Sequence, residues 1–127
     1  MELTPLIPQG NQIIEGYGAG GFRISGHRVE GSVIVFPDRV VGWPASAIAE
    51  VSAGNLEPVS TAGRAGAVEL LLVGTGTRMT QIDRSVRQAL RADGVVIEVM
   101  DTGAACRTYN VLMAEGRRVA AALIAVE

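Results

Sequence analysis

Three apolar runs of strand length, Val68–Val73, Val95–Met100 and Val119–Val126, dominate the second half of the chain, and the segments between them repeat at helical spacing. A short, nearly continuous apolar run suits a strand covered on both faces, the usual state in a parallel sheet. Between the first two runs, Ile82, Val86, Ala89 and Leu90 fall on one helical face, with Arg84, Arg87 and Arg91 on others, and Gly94 ends the helix. Thr80 with Asp83 three residues on resembles a capping box with Asp in place of Glu. Between the second and third runs, Asp101 or Thr102 caps a helix whose Ala105, Tyr109, Leu112 and Met113 form an apolar stripe, and Gly116 stops it. The order is therefore strand–helix–strand–helix–strand. If the three strands run parallel and lie side by side in chain order, right-handed crossovers place both helices on one face.

The front half reads differently. Ile13–Tyr17, Gly21–Ile24 and His27–Val29 are short strands broken by Gly18, Gly20 and the turn Ser25–Gly26. Ser32–Phe36 is a β-branched run, Pro37–Asp38 turns it, and Arg39–Trp43 returns as its partner until Pro44 ends the ladder. Asn55–Gly66, with Pro58 and two glycines, reads as loop. Hairpins packed on the sheet face away from the helices give a three-layer β/β/α arrangement. At 127 residues, 48% of them hydrophobic, the expected fold class is α+β, one domain over residues 1–127 with a β-rich front half.

Composition excludes several kinds of chemistry. Net charge is −2 and all 11 basic residues are Arg. No Lys means no Schiff base and no phosphate-loop Lys, and the charge balance is not that of a nucleic-acid binder. One Cys and one His allow neither an intrachain disulfide nor an ordinary Cys/His zinc site, so no metal is expected. No apolar run approaches the roughly 18 residues of a spanning helix. Met1–Pro5 shows no basic stretch followed by an apolar one, so a cytoplasmic location is expected.

One edge could form a site. Gly74, Thr75, Gly76 and Thr77, and Asp101, Thr102 and Gly103, lie at the carboxyl ends of two of the apolar strands, the edge where open α/β sheets bind ligands. Both segments lead to helix N-termini, which favour anions, and Arg78 and Arg107 add charge nearby. The alternative is that both are plain connecting turns. Gly74-Thr75-Gly76 lacks the third glycine of a dinucleotide fingerprint. Cys106 falls in the first turns of its helix, where the dipole favours a thiolate; the opposing reading is a small buried core residue. Asn110 lies one turn further on the same face, and nothing in the sequence brings His27 to Cys106. Glu98 and Asp101 are too differently placed for an acid–base pair, so no catalytic residue is assigned. Of Trp43, Tyr17 and Phe22, core packing is expected for at least two.

Three segments carry a family resemblance: Tyr17-Gly18 with Gly20-Gly21-Phe22-Arg23, Leu71–Gly76, and Met100-Asp101-Thr102 followed by Ala105–Asn110. Together with Glu115-Gly116-Arg117 and Ala120–Leu123, they resemble the family of complex I (NADH:ubiquinone oxidoreductase) assembly factor 3 and its bacterial and archaeal relatives, a small domain family of unknown function. The resemblance spans the chain from about Gly16 onward. It implies a β/β/α domain with no established enzymatic activity and no cofactor or catalytic residue. It further implies a non-enzymatic assembly role through protein partners, among them subunits of a membrane complex, by a protein peripheral to the inner membrane. A homo-oligomer is compatible with the sequence. The competing function is a small-molecule or anion-binding domain, or weak enzyme, using Gly74, Thr75, Gly76, Asp101, Thr102, Cys106 and Asn110.

Overall fold

Two tight turns organise the front half. Ala19 and Gly20, at φ 52° and 81°, and Ser25 and Gly26, at 47° and 85°, all sit in the left-handed region that a two-residue type I′ hairpin turn requires. In the computed structural model, which describes residues 11–127, these turns fold β1 (Ile14–Gly18), β2 (Gly21–Ile24) and β3 (His27–Glu30) into an antiparallel sheet in that order. The β1–β2 register slips between Ile14 and Gly16, which makes Glu15 a bulge. Ile14, Phe22 and Ile24 are buried, while Arg23 and Arg28 face outward.

The chain then crosses to a five-stranded sheet of order β5-β4-β8-β6-β7. Pro37–Asp38 joins β4 (Val33–Phe36) to β5 (Arg39–Gly42), with Phe36 opposite Arg39. The three apolar runs become β6 (Leu70–Gly74), β7 (Val96–Met100) and β8 (Val119–Leu123). β6 pairs parallel with both β7 and β8, whereas β4 pairs antiparallel with β8.

This order changes where the helices lie. The strands run 8-6-7 across the sheet, not in chain order, so the connection from β6 to β7 and the connection from β7 to β8 proceed in opposite directions. Right-handed crossovers then put α2 (Arg84–Ala92) and α3 (Thr102–Ala114) on opposite faces, not the same one. On one face Val86 and Leu90 of α2 pack with Leu71, Val73, Ile97, Ala120 and Ala122. On the other, Ala105, Cys106, Tyr109 and Met113 of α3 share a core with Phe22 and Ile24 of the small sheet and with Val35, Leu72 and Ala121. The β/β/α layering stands, with α3 standing beside the small sheet in the outer β layer.

Two local expectations are corrected. Residues 55–66 are not all loop: Glu57–Arg64 forms α1, preceded by short 3-10 turns at Ile48–Glu50 and Gly54–Leu56. Pro58 lies in the first turn of α1, where its missing N–H has no helical partner to lose. Gly63 reflects packing more than flexibility, since a Cβ there would overlap Val95 Cγ2 and the Asp93 carbonyl oxygen. The capping box is also not formed. Asp83 is itself the N-cap of α2, accepting from the Ser85 amide at 2.8 Å, and Thr80 stands outside the helix.

Ala is the better helix former, yet Gly63→Ala should lower stability by about 1–3 kcal/mol, the range for overpacking a tight contact. Urea denaturation followed by circular dichroism checks this; a stabilised variant would show that α1 does not meet Val95 closely.

Candidate functional site

β6 and β7 form a topological switch point: β6 leads to α2 on one face and its neighbour β7 to α3 on the other, and such sheets open a crevice between the carboxyl ends of two such strands. Here the chain fills that crevice with its own groups. Gly74 ends β6 against Thr102; a Cβ on Gly74 would lie 3.0 Å from Thr102 Cα and 3.0 Å from Leu123 Cδ2. Thr102 is fully buried. Its hydroxyl accepts from the Gly76 amide at 2.9 Å and donates to the Ile124 carbonyl at 2.8 Å, and its amide donates to the Gly76 carbonyl at 2.8 Å. One side chain thus ties together the ends of β6, β7 and β8.

The rest of the turn is likewise occupied. The Thr75 amide donates to Met100 O at 2.9 Å; its hydroxyl donates to Arg78 O at 2.7 Å and accepts from the Thr80 amide at 3.1 Å. Asp101 caps α3, accepting from the Ala104 amide at 2.8 Å. The α3 N-terminus therefore already holds a carboxylate where an anion would sit.

Of the residues singled out from sequence, Gly74, Thr75, Gly76, Asp101 and Thr102 gather in this junction. Cys106 and Asn110 belong to a separate cavity of about 120 Å³, lined also by the β1 segment Ile14–Tyr17 and by Arg107. There Asn110 acts as a piece of strand: its Oδ1 accepts from the Ile14 amide at 3.0 Å and its Nδ2 donates to the Ile14 carbonyl at 2.7 Å. Next to it, fully buried Tyr109 donates its hydroxyl to Gln12 O at 3.1 Å. Cys106 is 4% exposed, and burial pushes its thiol up from 9.0 to about 12, against a smaller opposing pull from the Arg107 charge. His27 is exposed and does not line this cavity. Trp43 and Phe22 are core residues, whereas Tyr17 is 46% exposed.

Glu15 and Tyr17 are lining residues that sequence reasoning did not place here, whereas Arg107, expected to add charge beside the strand ends, lines this cavity. The β1 bulge brings Glu15 and Tyr17 to α3, and a single unpaired register step leaves no trace in a hydrophobicity pattern. The segments that carry the family resemblance nevertheless converge. Tyr17 packs its ring and hydroxyl over Gly103, leaving no room for a Cβ, and Gly74 packs on Thr102, so all three meet at the start of α3.

Residues 14–124 match the family described as protein of unknown function (DUF498/DUF598). The chain belongs to that family. It is 38% identical over 112 residues to NADH dehydrogenase [ubiquinone] 1 alpha subcomplex assembly factor 3 of Xenopus tropicalis, covering 87% of this chain and 60% of that protein. The chain thus spans about three-fifths of the length of such relatives. Among solved structures, an outer membrane protein from Bartonella henselae is 36% identical with a TM-score of 0.85, covering 93% of this chain and 98% of that one. A Bordetella pertussis protein described as a Mth938-like domain is 33% identical with a TM-score of 0.81, covering 97% and 91%. Among the described residues no helix is long and apolar enough to cross a membrane, and no three His, Cys, Asp or Glu side chains gather as a metal site.

Thr102→Val keeps the shape but strips the Gly76 amide and the Ile124 carbonyl of their partner, at an expected loss of about 1–3 kcal/mol in chemical denaturation; Thr102→Ser should recover most of it. The Cys106 thiol should label with iodoacetamide at pH 8 at least about tenfold more slowly in the native chain than in urea. Above pH 9 the unfolded chain sheds the Cys106 proton before the native one does. Its contribution to stability therefore falls as pH rises from about 9 toward about 12.

Proposed function

We propose that this chain is a non-enzymatic protein-contact module in the assembly of a respiratory complex. It would act as one domain over residues 1–127, meeting subunits of a membrane-bound complex as a cytoplasmic protein peripheral to the inner membrane. The observation that carries this reading is the 38% identity to a complex I assembly factor along 87% of the chain. The site chemistry supports it. At the switch point the polar groups of the turn and of the α3 cap are engaged with one another, and the Cys106 thiol is held in its neutral, weakly nucleophilic form.

A second reading is favoured by one observation, the 120 Å³ cavity in which Cys106 and Asn110 meet Glu15 and Arg107. It would admit a small polar ligand beside the Gly74–Gly76 and Asp101–Thr102 junction. A melting-temperature screen against small anions separates the two, since only the second reading expects a saturable shift.

In the organism that carries it, deleting the gene should lower the amount of assembled NADH dehydrogenase complex on native gels, and the intact gene should restore it. Normal assembly in the deletion strain, together with a pull-down that recovers no complex subunit, would count decisively against the assembly reading.

A further inference from the structure

β7 forms one edge of the five-stranded sheet. Its Val96 amide donates to Glu69 O at 3.0 Å and its Met100 carbonyl accepts from the Thr75 amide at 2.9 Å. Val96, Glu98 and Met100 therefore turn their peptide groups toward β6, and alternation turns those of Ile97 and Val99 outward. A strand edge of this kind is a template for another strand.

Alongside that edge, α2 presents Arg84, Arg87 and Arg91, spaced three and four apart and so on one side of the helix. Together with Val96 and Ile97 they line a groove of about 210 Å³. Arg23, Arg28, Arg39, Arg64 and Arg118 each have an acidic partner, but among the described residues no carboxylate pairs with any arginine of this groove. Three uncompensated cations sit together on a chain of net charge −2. Glu98, the acid on β7 itself, alternates to the sheet face opposite Ile97. Val96, 46% exposed, shares that opposite face with Glu98 and adds apolar surface at the rim of the edge.

Arg87 occupies the one outward acceptor whose partner is visible. It donates to Ile97 O at 2.8 Å and to Gln81 Oε1 at 3.1 Å. A neutral strand reaching this edge would have to displace a guanidinium and leave its charge unanswered. A strand carrying a carboxylate can draw that guanidinium onto itself, because Arg forms bidentate pairs with carboxylates. Spacing suits such a partner. Alternate residues of a strand stand about 6.6–6.8 Å apart, and the three arginines step by about 4.5 and 6 Å along the helix axis, a mismatch their long side chains absorb.

We propose that the β7–α2 edge docks an extended acidic segment of a partner protein, which pairs with the outward peptide groups of Ile97 and Val99 and sets alternate carboxylates on Arg84, Arg87 and Arg91. The proposal rests on the reading of the chain as a protein-contact module and specifies the chemistry of the contact.

The test titrates a peptide of alternating Glu and Val, about eight residues long as befits one strand, into the full chain labelled for NMR. Saturable shifts confined to the amides of β7 and α2 are expected, with affinity falling as salt is added. Arg84→Glu/Arg91→Glu should weaken binding at least about tenfold with an unchanged Tm, because neither side chain has an ion pair among the described residues. Should the reversal unfold the chain, Arg84→Gln/Arg91→Gln supplies the same comparison. Equal binding of a Gln/Val peptide, equal binding by the double variant, or shifts spread over Arg107, Arg117 and Arg118 would overturn the proposal. So would Arg84- and Arg91-dependent binding to phosphatidylglycerol vesicles without any peptide shift, which would assign the groove to a lipid surface. Capture of respiratory-complex subunits by the parent chain without peptide binding overturns the acidic edge alone. Peptide binding without any such capture supports the edge and overturns the assembly reading.

Discussion

β6 must be covered on both faces, and the rest of the fold answers that requirement. Its Leu71 and Val73 point to one core and its Leu72 to the other, with parallel neighbours on both sides. Because β7 and β8 flank it in opposite directions, the two right-handed crossovers deliver one helix to each face. On the first face α2 is joined by α1, which packs Val59 and Ala62 into the same core, with Leu56 of the preceding 3-10 turn beside them. On the second face α3 arrives alone, and one helix is too narrow for a five-stranded sheet. The small sheet fills the remaining width, contributing Ile14, Phe22 and Ile24 beside the Ala105–Met113 face of α3.

Two pieces packed side by side in one layer need a seam, and here the seam is polar. The outer edge of β1 would otherwise expose the peptide groups of Ile14 in a part-buried setting, where an unpaired group costs about 1–3 kcal/mol. Asn110 meets both, donating to one and accepting from the other as a neighbouring strand would. Tyr109 does the same for the carbonyl of Gln12 while burying its ring. Asn110, which the sequence placed on the face of Cys106, and Tyr109, which it placed in the apolar stripe, together hold a helix to a sheet edge. Cys106, one turn before Asn110, fills the space beneath that seam.

The strands and the two crossover helices were legible because their signals are local: apolar runs for β6, β7 and β8, and helical spacing around Val86 and Leu90. The turn at Ser25–Gly26 was also legible, since its residues match the positive φ values found there. Strand order was not. Nothing in the runs themselves says that β8 inserts between β4 and β6, and that single long-range choice decides which face α3 takes. Helix α1 was hidden for a different reason. Pro58 and Gly63 read locally as breakers, yet one sits where a helix tolerates it and the other where Val95 demands it. The gathering of Gly74–Gly76 with Asp101–Thr102 followed from strand direction alone. Cys106 and Asn110, one and two helical turns beyond Thr102, instead meet the edge of β1, a neighbour that no local pattern encodes.

The same geometry bears on what kind of contact the molecule can make. In a doubly wound sheet the switch point usually offers free amides to a ligand. Here the Thr102 hydroxyl joins the Gly76 amide to the Ile124 carbonyl, and Asp101 caps α3 from within. A ligand entering would have to break bonds that already close, which costs what it gains. Among the described residues, the peptide groups facing outward along β7 and the guanidinium groups of Arg84 and Arg91 carry no such internal competition, apart from the single bond Arg87 makes to Ile97. Binding free energy is therefore more available along the sheet edge than at the carboxyl ends of the strands, which favours an extended macromolecular partner over a small molecule held in a crevice.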